Sequence, residues 1–236
     1  MGAIYMVRHG QASFGRDNYD ELSEKGIEQS RILALYWLKT GVETDVIYSG
    51  EMVRQRDTAK EVIKIWSEAG IVLPELQFLK EFNEYNSKAL ILSHLEDLIR
   101  EDPSVNEDLK IIYTDKKAFQ RIFEKIIAKW STGTLYKPGI QTWDEFKKTI
   151  HSGIQKVLAD NGRSKNIVIF TSGGAISASV QFAMGLSDAE TIRIAWKIIN
   201  SSVSKFLYNE ERITLIGFNS TAHLDLERDP GLITYR

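Results

Sequence analysis

The chain has 236 residues, 30 basic and 32 acidic side chains, a formal net charge of −2 and no cysteine. The balanced charge argues against nucleic-acid and membrane-surface partners, and the lack of cysteine excludes disulfides, thiolate catalysis and cysteine metal sites. No apolar run reaches the roughly 20 residues that cross a bilayer, and no basic segment precedes a long apolar one at the N-terminus. We therefore expect a cytoplasmic protein of one large domain or two small ones.

The first predicted strand is a continuous apolar run, Ile4 to Val7, followed at once by Arg8, His9 and Gly10. Continuous rather than alternating apolar residues are typical of a strand buried on both faces of a parallel sheet. Ligand sites of open α/β sheets lie beyond the carboxyl ends of such strands, where Arg8 and His9 would stand. For the tripeptide alone, a surface arginine–histidine pair is an equally good interpretation.

Alternating helical and strand patterns follow. Ser23 is a predicted N-cap, and Gly41 a predicted stop, of the first helix. Next come a strand at 45–49, a helix at 53–66 and, interrupted by Pro74, an edge strand at 71–78. Between residues 86 and 142 the pattern becomes helical, with amphipathic stretches at 88–100 and 116–130. Because about 57 residues make a marginal core, we expect a helical insertion over the site, within one domain of residues 1–236.

The strand–helix alternation then resumes. The predicted elements are a helix at 143–158, a strand at 166–171, a small-residue helix up to 184, a helix from the capping box Ser187/Glu190 to about 197, and a β-hairpin at 203–208 and 213–218. Together the elements predict a doubly wound α/β fold, with a mostly parallel sheet flanked by helices.

Three strand ends carry glycine-bearing corners. After the strand at 166–171, Gly173 and Gly174 would expose amide groups at the positive end of a helix, which favours an anion. Ser49-Gly50 is followed by Arg54 and Arg56, and arginines grip phosphate or carboxylate through paired hydrogen bonds. Each corner is a weak signal alone.

In their order along the chain, these motifs resemble the histidine phosphatase (phosphoglycerate-mutase-like) superfamily. The matching stretches are Val7-Arg8-His9-Gly10-Gln11, Leu22-Ser23-Glu24-Lys25-Gly26 with Gln29, Tyr48-Ser49-Gly50 through Arg54 to Thr58-Ala59, Phe82-Asn83-Glu84-Tyr85 and Thr171-Ser172-Gly173-Gly174. The resemblance implies that His9 is a nucleophile forming a phosphohistidine and that Arg8 and Arg54 clamp the phosphate. It implies Glu84 as the general acid, with Glu81 as the rival, and leaves Arg56 as a solvated charge.

The sequence departs from the family pattern at Ser172, where most members carry a second histidine. Ser172 and Gly173 are still expected to bind substrate, although a hydroxyl offers only a neutral hydrogen bond. His223 is a candidate substitute for the missing imidazole, but a structural role is favoured. His94 and His151 are predicted to face solvent. No histidine–carboxylate set has metal-ligand spacing, so neither metal nor cofactor is expected.

The resemblance implies a metal-independent phosphomonoester hydrolase, with specificity set by the insertion. A phosphorylated small molecule is the expected substrate, and a phosphoprotein, which would need an open cleft, remains an alternative. The serine at position 172, in place of a histidine, is expected to weaken the activity at most and not to abolish it. Two alternatives remain: a phosphoglycerate mutase, disfavoured by the loop after His9, and a low-activity phospho-ligand-binding protein that keeps Arg8 and Arg54.

Overall fold

A computed structural model describes residues 2–13, 20–111 and 115–235. The strands lie in one six-stranded sheet in the order β3-β2-β4-β1-β5-β6. Their bounds are β1 Gly2–Arg8, β2 Val46–Ser49, β3 Leu76–Phe78, β4 Asn166–Thr171, β5 Val203–Tyr208 and β6 Ile213–Ser220.

The pairing of the strands confirms the predicted doubly wound, mostly parallel arrangement. β1 runs parallel to β4, with Arg8 opposite Thr171, and antiparallel to β5. β2 is parallel to both β3 and β4, whereas β5 and β6 form the predicted hairpin. The carboxyl ends of β1, β2 and β4 therefore meet at one edge of the sheet.

Helices flank the sheet. The described residues form α1 Glu24–Thr40, α2 Val53–Glu68, α3 Ser87–Glu101, α4 Val105–Lys110, α5 Lys116–Ser131, α6 Trp143–Asn161, α7 Gly173–Met184, α8 Asp188–Ala195 and α9 Ala222–Asp225. The predicted caps of the first helix are confirmed, since Ser23 accepts the amide of Gly26 and Gly41 adopts a φ of 68°. The capping box of Ser187 and Glu190 is confirmed at α8.

Two elements differ from expectation. The edge strand begins only at Leu76, because Pro74 cannot donate to a ladder and holds the preceding chain outside the sheet. The segment between the amphipathic stretches predicted at 88–100 and 116–130 contains the short helix α4. Neither difference moves a residue of the predicted site.

The core lies on both faces of the sheet, as the continuous apolar run in β1 requires. Met6 belongs to a cluster formed with α6, α7 and the insertion, whereas the next residue, Val7, belongs to a second cluster with α1 and α2. Insertion side chains such as Leu90 and Trp130 share the cluster of Met6. Burial on two faces fixes β1, and with it the residues that follow, in a rigid position.

Candidate active site

His9 follows β1 directly, at the carboxyl edge of the sheet, and is only 4% exposed. Arg54 Nε lies 3.1 Å from His9 Nε2, and because a guanidinium N–H can only donate, Nε2 must be the acceptor. The ring proton therefore sits on Nδ1, which donates to the backbone oxygen of Gly10 at 2.7 Å. The nitrogen that carries the lone pair is the one that faces the arginine.

The surroundings of His9 keep its imidazole neutral. Burial is the largest cause that lowers the pKa of His9 well below its usual value, and the charges of Arg54 and Arg8 lower it further. The hydrogen bond with Gly10 opposes them as the smallest contribution. A neutral imidazole is the form that can act as a nucleophile.

Arg54 reaches His9 from the first turn of α2 and is 6% exposed. Its Nη1 forms an ion pair with Asp20 Oδ1 at 2.5 Å, and Asp20 Oδ2 accepts the amide of Val53 at 2.8 Å. The Asp20 carboxylate thus binds both the Arg54 side chain and the N-terminus of α2, two positive groups that together favour an anion. Arg56, predicted to be solvated, is instead half-buried, and its Nε is out of contact with solvent.

Arg8 ends β1 and is half-buried. Its Nη1 donates to the carbonyl of Ile198, and its Nη2 donates to that of Tyr235 at 2.6 Å. These carbonyls fix the plane of the guanidinium. A Cβ built on Gly173 would lie 3.7 Å from Arg8 Nε, so Arg8 borders the N-terminus of α7.

The second corner joins β4 to α7. The carbonyl of Thr171 accepts the amide of His9 at 2.8 Å, which places the two corners side by side. Ser172 is completely buried, and its Oγ accepts a hydrogen bond from Gln55 Nε2 at 2.8 Å. The hydroxyl of Thr171 donates to the carbonyl of Phe82 at 2.7 Å, which ties this corner to the segment that carries Glu84.

Glu84 lies against the first turn of α7. Its Oε2 accepts the amide of Gly174 at 2.9 Å, and its Oε1 accepts that of Tyr85 at 3.3 Å. A Cβ on Gly174 would lie 2.1 Å from Oε1, so only glycine permits this approach. Burial raises the pKa of Glu84, against the Gly174 amide and the charges of Arg54 and Arg8, and a raised pKa suits a proton donor.

Glu81, the rival acid, lies in the short 3₁₀ helix Lys80–Phe82. A Cβ on Gly153 would stand 2.7 Å from Glu81 Cβ, so this residue packs against α6. Glu84, in contrast, contacts α7 and feels the charges of Arg8 and Arg54. The geometry favours Glu84 as the carboxyl group of the site.

The backbone of the His9 corner is supported by side chains from distant segments. Thr58 Oγ1 accepts the amide of Gly10 at 3.0 Å. The carbonyl of His9 accepts hydrogen bonds from Asn200 Nδ2 at 3.1 Å and from the amide of Ser201 at 3.3 Å. Asn200 and Ser201 had no sequence signal, because they follow a helical segment without a recognisable motif.

His223 supports this corner from behind. It is 2% exposed, and its Nε2 shares a hydrogen bond of 2.8 Å with the hydroxyl of Ser201. Ser201 has a φ of 57°, a left-handed conformation that needs such fixing. These contacts agree with the structural role favoured for His223.

The prediction that His94 faces solvent is wrong. His94 is 1% exposed, because it shares the inner face of α3 with Leu90 and Leu98, four residues away on either side. His151 is half-buried rather than exposed, with its ring centroid 4.5 Å from that of Phe182.

Within the described part of the chain, no group of His, Cys, Asp or Glu has an arrangement that could hold a metal ion. No helix formed by the same residues is long and apolar enough to cross a membrane.

A neutral histidine between two arginines, with a half-buried carboxyl group nearby, defines a class of site that suits phosphate. The family model of the histidine phosphatase superfamily (branch 1) matches residues 4–103 and 88–221. The chain therefore belongs to the histidine phosphatase superfamily. No curated protein matches the sequence significantly.

Solved structures share the fold over nearly the whole chain. A phosphoserine phosphatase from Entamoeba histolytica, in complex with phosphoserine, has a TM-score of 0.64 and 18% identity, covering 95% of this chain and 100% of that one. A phosphoglycerate mutase from Bacillus anthracis has a TM-score of 0.63 and 17% identity, covering 96% of each chain. The alpha-ribazole phosphatase from Shigella flexneri has a TM-score of 0.60 and 18% identity, covering 92% and 96%.

Proposed function

We propose that the protein is a metal-independent phosphomonoester hydrolase that acts through a phosphohistidine on His9. The observation that carries the proposal is the fixed, neutral imidazole, whose Nδ1–H is held by Gly10 and whose Nε2 faces Arg54. A nucleophile needs its lone pair aimed at the electrophile, and this arrangement supplies it without a separate base.

In the first step, the phosphoryl group lies between Arg8 and Arg54, with the Gly173 amide and the Ser172 hydroxyl as further donors. The arginines neutralise the charge on the equatorial oxygens. Nε2 of His9 attacks phosphorus as the bond to the ester oxygen breaks. Glu84 gives its proton to that oxygen, and the alcohol leaves.

In the second step, the Glu84 carboxylate accepts a proton from water while the water oxygen attacks phosphorus. The N–P bond breaks, inorganic phosphate departs, and His9 returns to its neutral form with Glu84 protonated. Burial supports this role of Glu84, because it raises the pKa and so favours proton donation near neutrality.

The substrate class that we propose is a phosphorylated small molecule. His9 and Arg54 are 4% and 6% exposed, which leaves little room for a folded protein surface to approach. Among the similar structures, the Entamoeba protein holds phosphoserine. We expect the insertion at 86–142 to select the ester, because its aromatic side chains lie behind Tyr85, next to Glu84.

The test is a screen of small phosphomonoesters with the wild type, His9→Ala and the control His151→Ala, all in the presence of EDTA. We expect the wild type and the control to release phosphate and His9→Ala to lose roughly 10³-fold or more, as expected for a missing nucleophile. An acid-labile phosphoryl group should be trapped only on proteins that retain His9.

The other outcomes separate the alternatives. Undiminished hydrolysis by His9→Ala would overturn the mechanism. Transfer between phosphoglycerate isomers in preference to hydrolysis would identify a mutase. Binding of phosphate esters without turnover of any of them would identify a binding protein in which the neutral Ser172 has replaced a charged contact.

A further inference from the structure

Gln55 lies in the first turn of α2, and its completely buried side chain reaches the second corner. Its Nε2 donates to Ser172 Oγ at 2.8 Å and to the carbonyl of Phe82 at 3.0 Å, while its Oε1 accepts the amide of Met52 at 3.3 Å. A carbonyl can only accept and an amide can only donate. The orientation of the Gln55 carboxamide is therefore determined by its partners.

The space that Gln55 occupies is built into the corner after β2. A Cβ on Gly50 would lie 2.0 Å from Gln55 Oε1 and 2.8 Å from the carbonyl of Phe82. Glycine is thus required at position 50 by the buried glutamine. The Ser49-Gly50 corner is expected from the sequence to belong to the anion site. In the structure it leaves the space that the Gln55 side chain fills.

The bond from Gln55 keeps the proton of the Ser172 hydroxyl from pointing at Gln55. The hydroxyl has a single proton, and its oxygen already accepts from an amide nitrogen that cannot accept in return. No residue in the described ranges accepts that proton. Ser172 stands beside His9, since the preceding carbonyl of Thr171 accepts the amide of His9, and the next residue, Gly173, borders Arg8.

We infer that Gln55 is a positioning residue, which directs the Ser172 hydroxyl proton at the transferred phosphoryl group. This inference rests on the proposed function. Gln55 and Ser172 together replace the second histidine that the family resemblance implies at position 172. Gln55 fills the volume of the imidazole, and the Ser172 hydroxyl supplies the hydrogen bond. Because the donors stand in series, each polarises the next, which strengthens the contact with phosphate.

The inference predicts that the effects of Gln55 and Ser172 are not additive. We would measure kcat/KM on an aryl phosphate and the inhibition constant of inorganic phosphate for the wild type, Gln55→Met, Ser172→Ala and the double variant. Each single change should lower kcat/KM and weaken phosphate inhibition by about tenfold, the equivalent of one hydrogen bond. The double variant should match Ser172→Ala within about twofold, since Gln55 acts only through Ser172.

Gln29 offers a matched control, because it is also a completely buried glutamine that supports the site backbone. Its Oε1 accepts the amide of Gln11 at 2.8 Å, without contact to Ser172. Gln29→Met should therefore combine additively with Ser172→Ala. A merely structural role of Gln55 would give the same additivity and would leave phosphate inhibition unchanged in folded protein.

Gln55→Glu keeps the shape of the side chain and serves if Gln55→Met does not fold. The new carboxylate would accept the Ser172 proton and turn it away from phosphate. Gln55→Glu should therefore lower kcat/KM more when position 172 is serine than when it is alanine. Full additivity, or wild-type phosphate inhibition in a Gln55 variant, overturns the inference. If the wild type hydrolyses no ester, the proposed hydrolase fails, but phosphate affinities measured by calorimetry still test the pair.

Discussion

The corners at the ends of β1 and β4 lie side by side, yet they are built in opposite ways. At the first, the His9 ring is fixed by the backbone oxygen of Gly10 and lies among charged groups, with Arg54 donating to its Nε2. At the second, a neutral hydroxyl is held by a neutral amide, that of Gln55. The His9 ring of the first corner is suited to forming a bond, and the Ser172 hydroxyl of the second corner is suited to holding a group in place.

This difference indicates that the reactive nitrogen and the neutral hydrogen-bond donor belong to different corners of the site. Removing charge from the first corner should cause the largest loss of activity, because in the proposed mechanism the bond to phosphorus forms there. Changes at the second corner should grade the activity, because they alter donors rather than the nucleophile.

The largest effect is expected for Arg54→Ala. Loss of the clamp should lower kcat/KM by roughly 10²–10³-fold, comparable to the loss of a preorganised donor in other enzymes. Because burial and Arg54 both lower the pKa of His9, the variant should also show a higher pKa for His9, measurable by NMR titration.

Arg31→Ala is the control for Arg54→Ala. Arg31 forms an ion pair with Glu61 across α1 and α2, and its side chain is 50% exposed. Its loss should leave kinetics unchanged. Near-normal kinetics in folded Arg54→Ala would remove this arginine from the site and with it the contrast between the corners.

A smaller effect is expected for Gly174→Ala at the second corner. The new Cβ would stand 2.1 Å from Glu84 Oε1 and displace the carboxyl group. Esters with poor leaving groups need a proton, so alkyl phosphates should slow by roughly 10²-fold and activated aryl phosphates much less.

Glu84→Gln should give the same ratio between the two esters. Gly173→Ala is the matched substitution one residue earlier, where the nearest atom would be 3.7 Å from the new Cβ, and its loss should be smaller. If Gly174→Ala and Glu84→Gln slow both esters equally, Glu84 is a structural carboxylate and Glu81 becomes the acid to test.

The last prediction concerns stability rather than turnover, at the support behind the first corner, which contains an ionisable group where the second has Gln55. Burial lowers the pKa of His223 to about 4, whereas an unfolded histidine titrates near 6.5. Between these values the unfolded chain binds a proton that the folded chain excludes. Acidification from pH 7 to pH 4 should therefore lower the free energy of unfolding by about 3 kcal/mol through His223 alone.

Urea unfolding at both pH values, for the wild type and His223→Gln, measures this contribution. The variant should lose less stability on acidification, by about the same amount. Identical pH dependence in the two proteins would show that His223 titrates normally and that the first corner has no pH-sensitive support.

Local chemistry made much of the fold predictable. Ser23 and Ser187 cap helices through contacts within one turn, and the continuous apolar run of β1 has no alternative to burial on both faces. His9 and Arg54 stand in recognisable motifs, so their proximity could be anticipated. The exposure expected for His94 is wrong because a spacing of four residues from Leu90 and from Leu98 places its ring on the apolar face of α3, whatever its polarity.

The supporting groups of the site could not be predicted in the same way. Gln55 meets Ser172 across 117 positions in sequence, and Arg8 meets the carbonyl of Tyr235 across 227. Asp20 bonds to Arg54 only because α2 returns its first turn to the end of β1. Such contacts are products of the tertiary fold, and no local pattern specifies them.

The central place of β1 has a consequence for synthesis. β1 leaves the ribosome before every other described strand, but its neighbours β4 and β5 begin only at residues 166 and 203. At about 5–20 residues per second, the apolar strand waits on the order of ten to thirty seconds for a partner. The nascent chain should therefore depend on chaperones that shield β1, and Arg8 at its end gains the carbonyl of Tyr235 only after all six described strands have been synthesised.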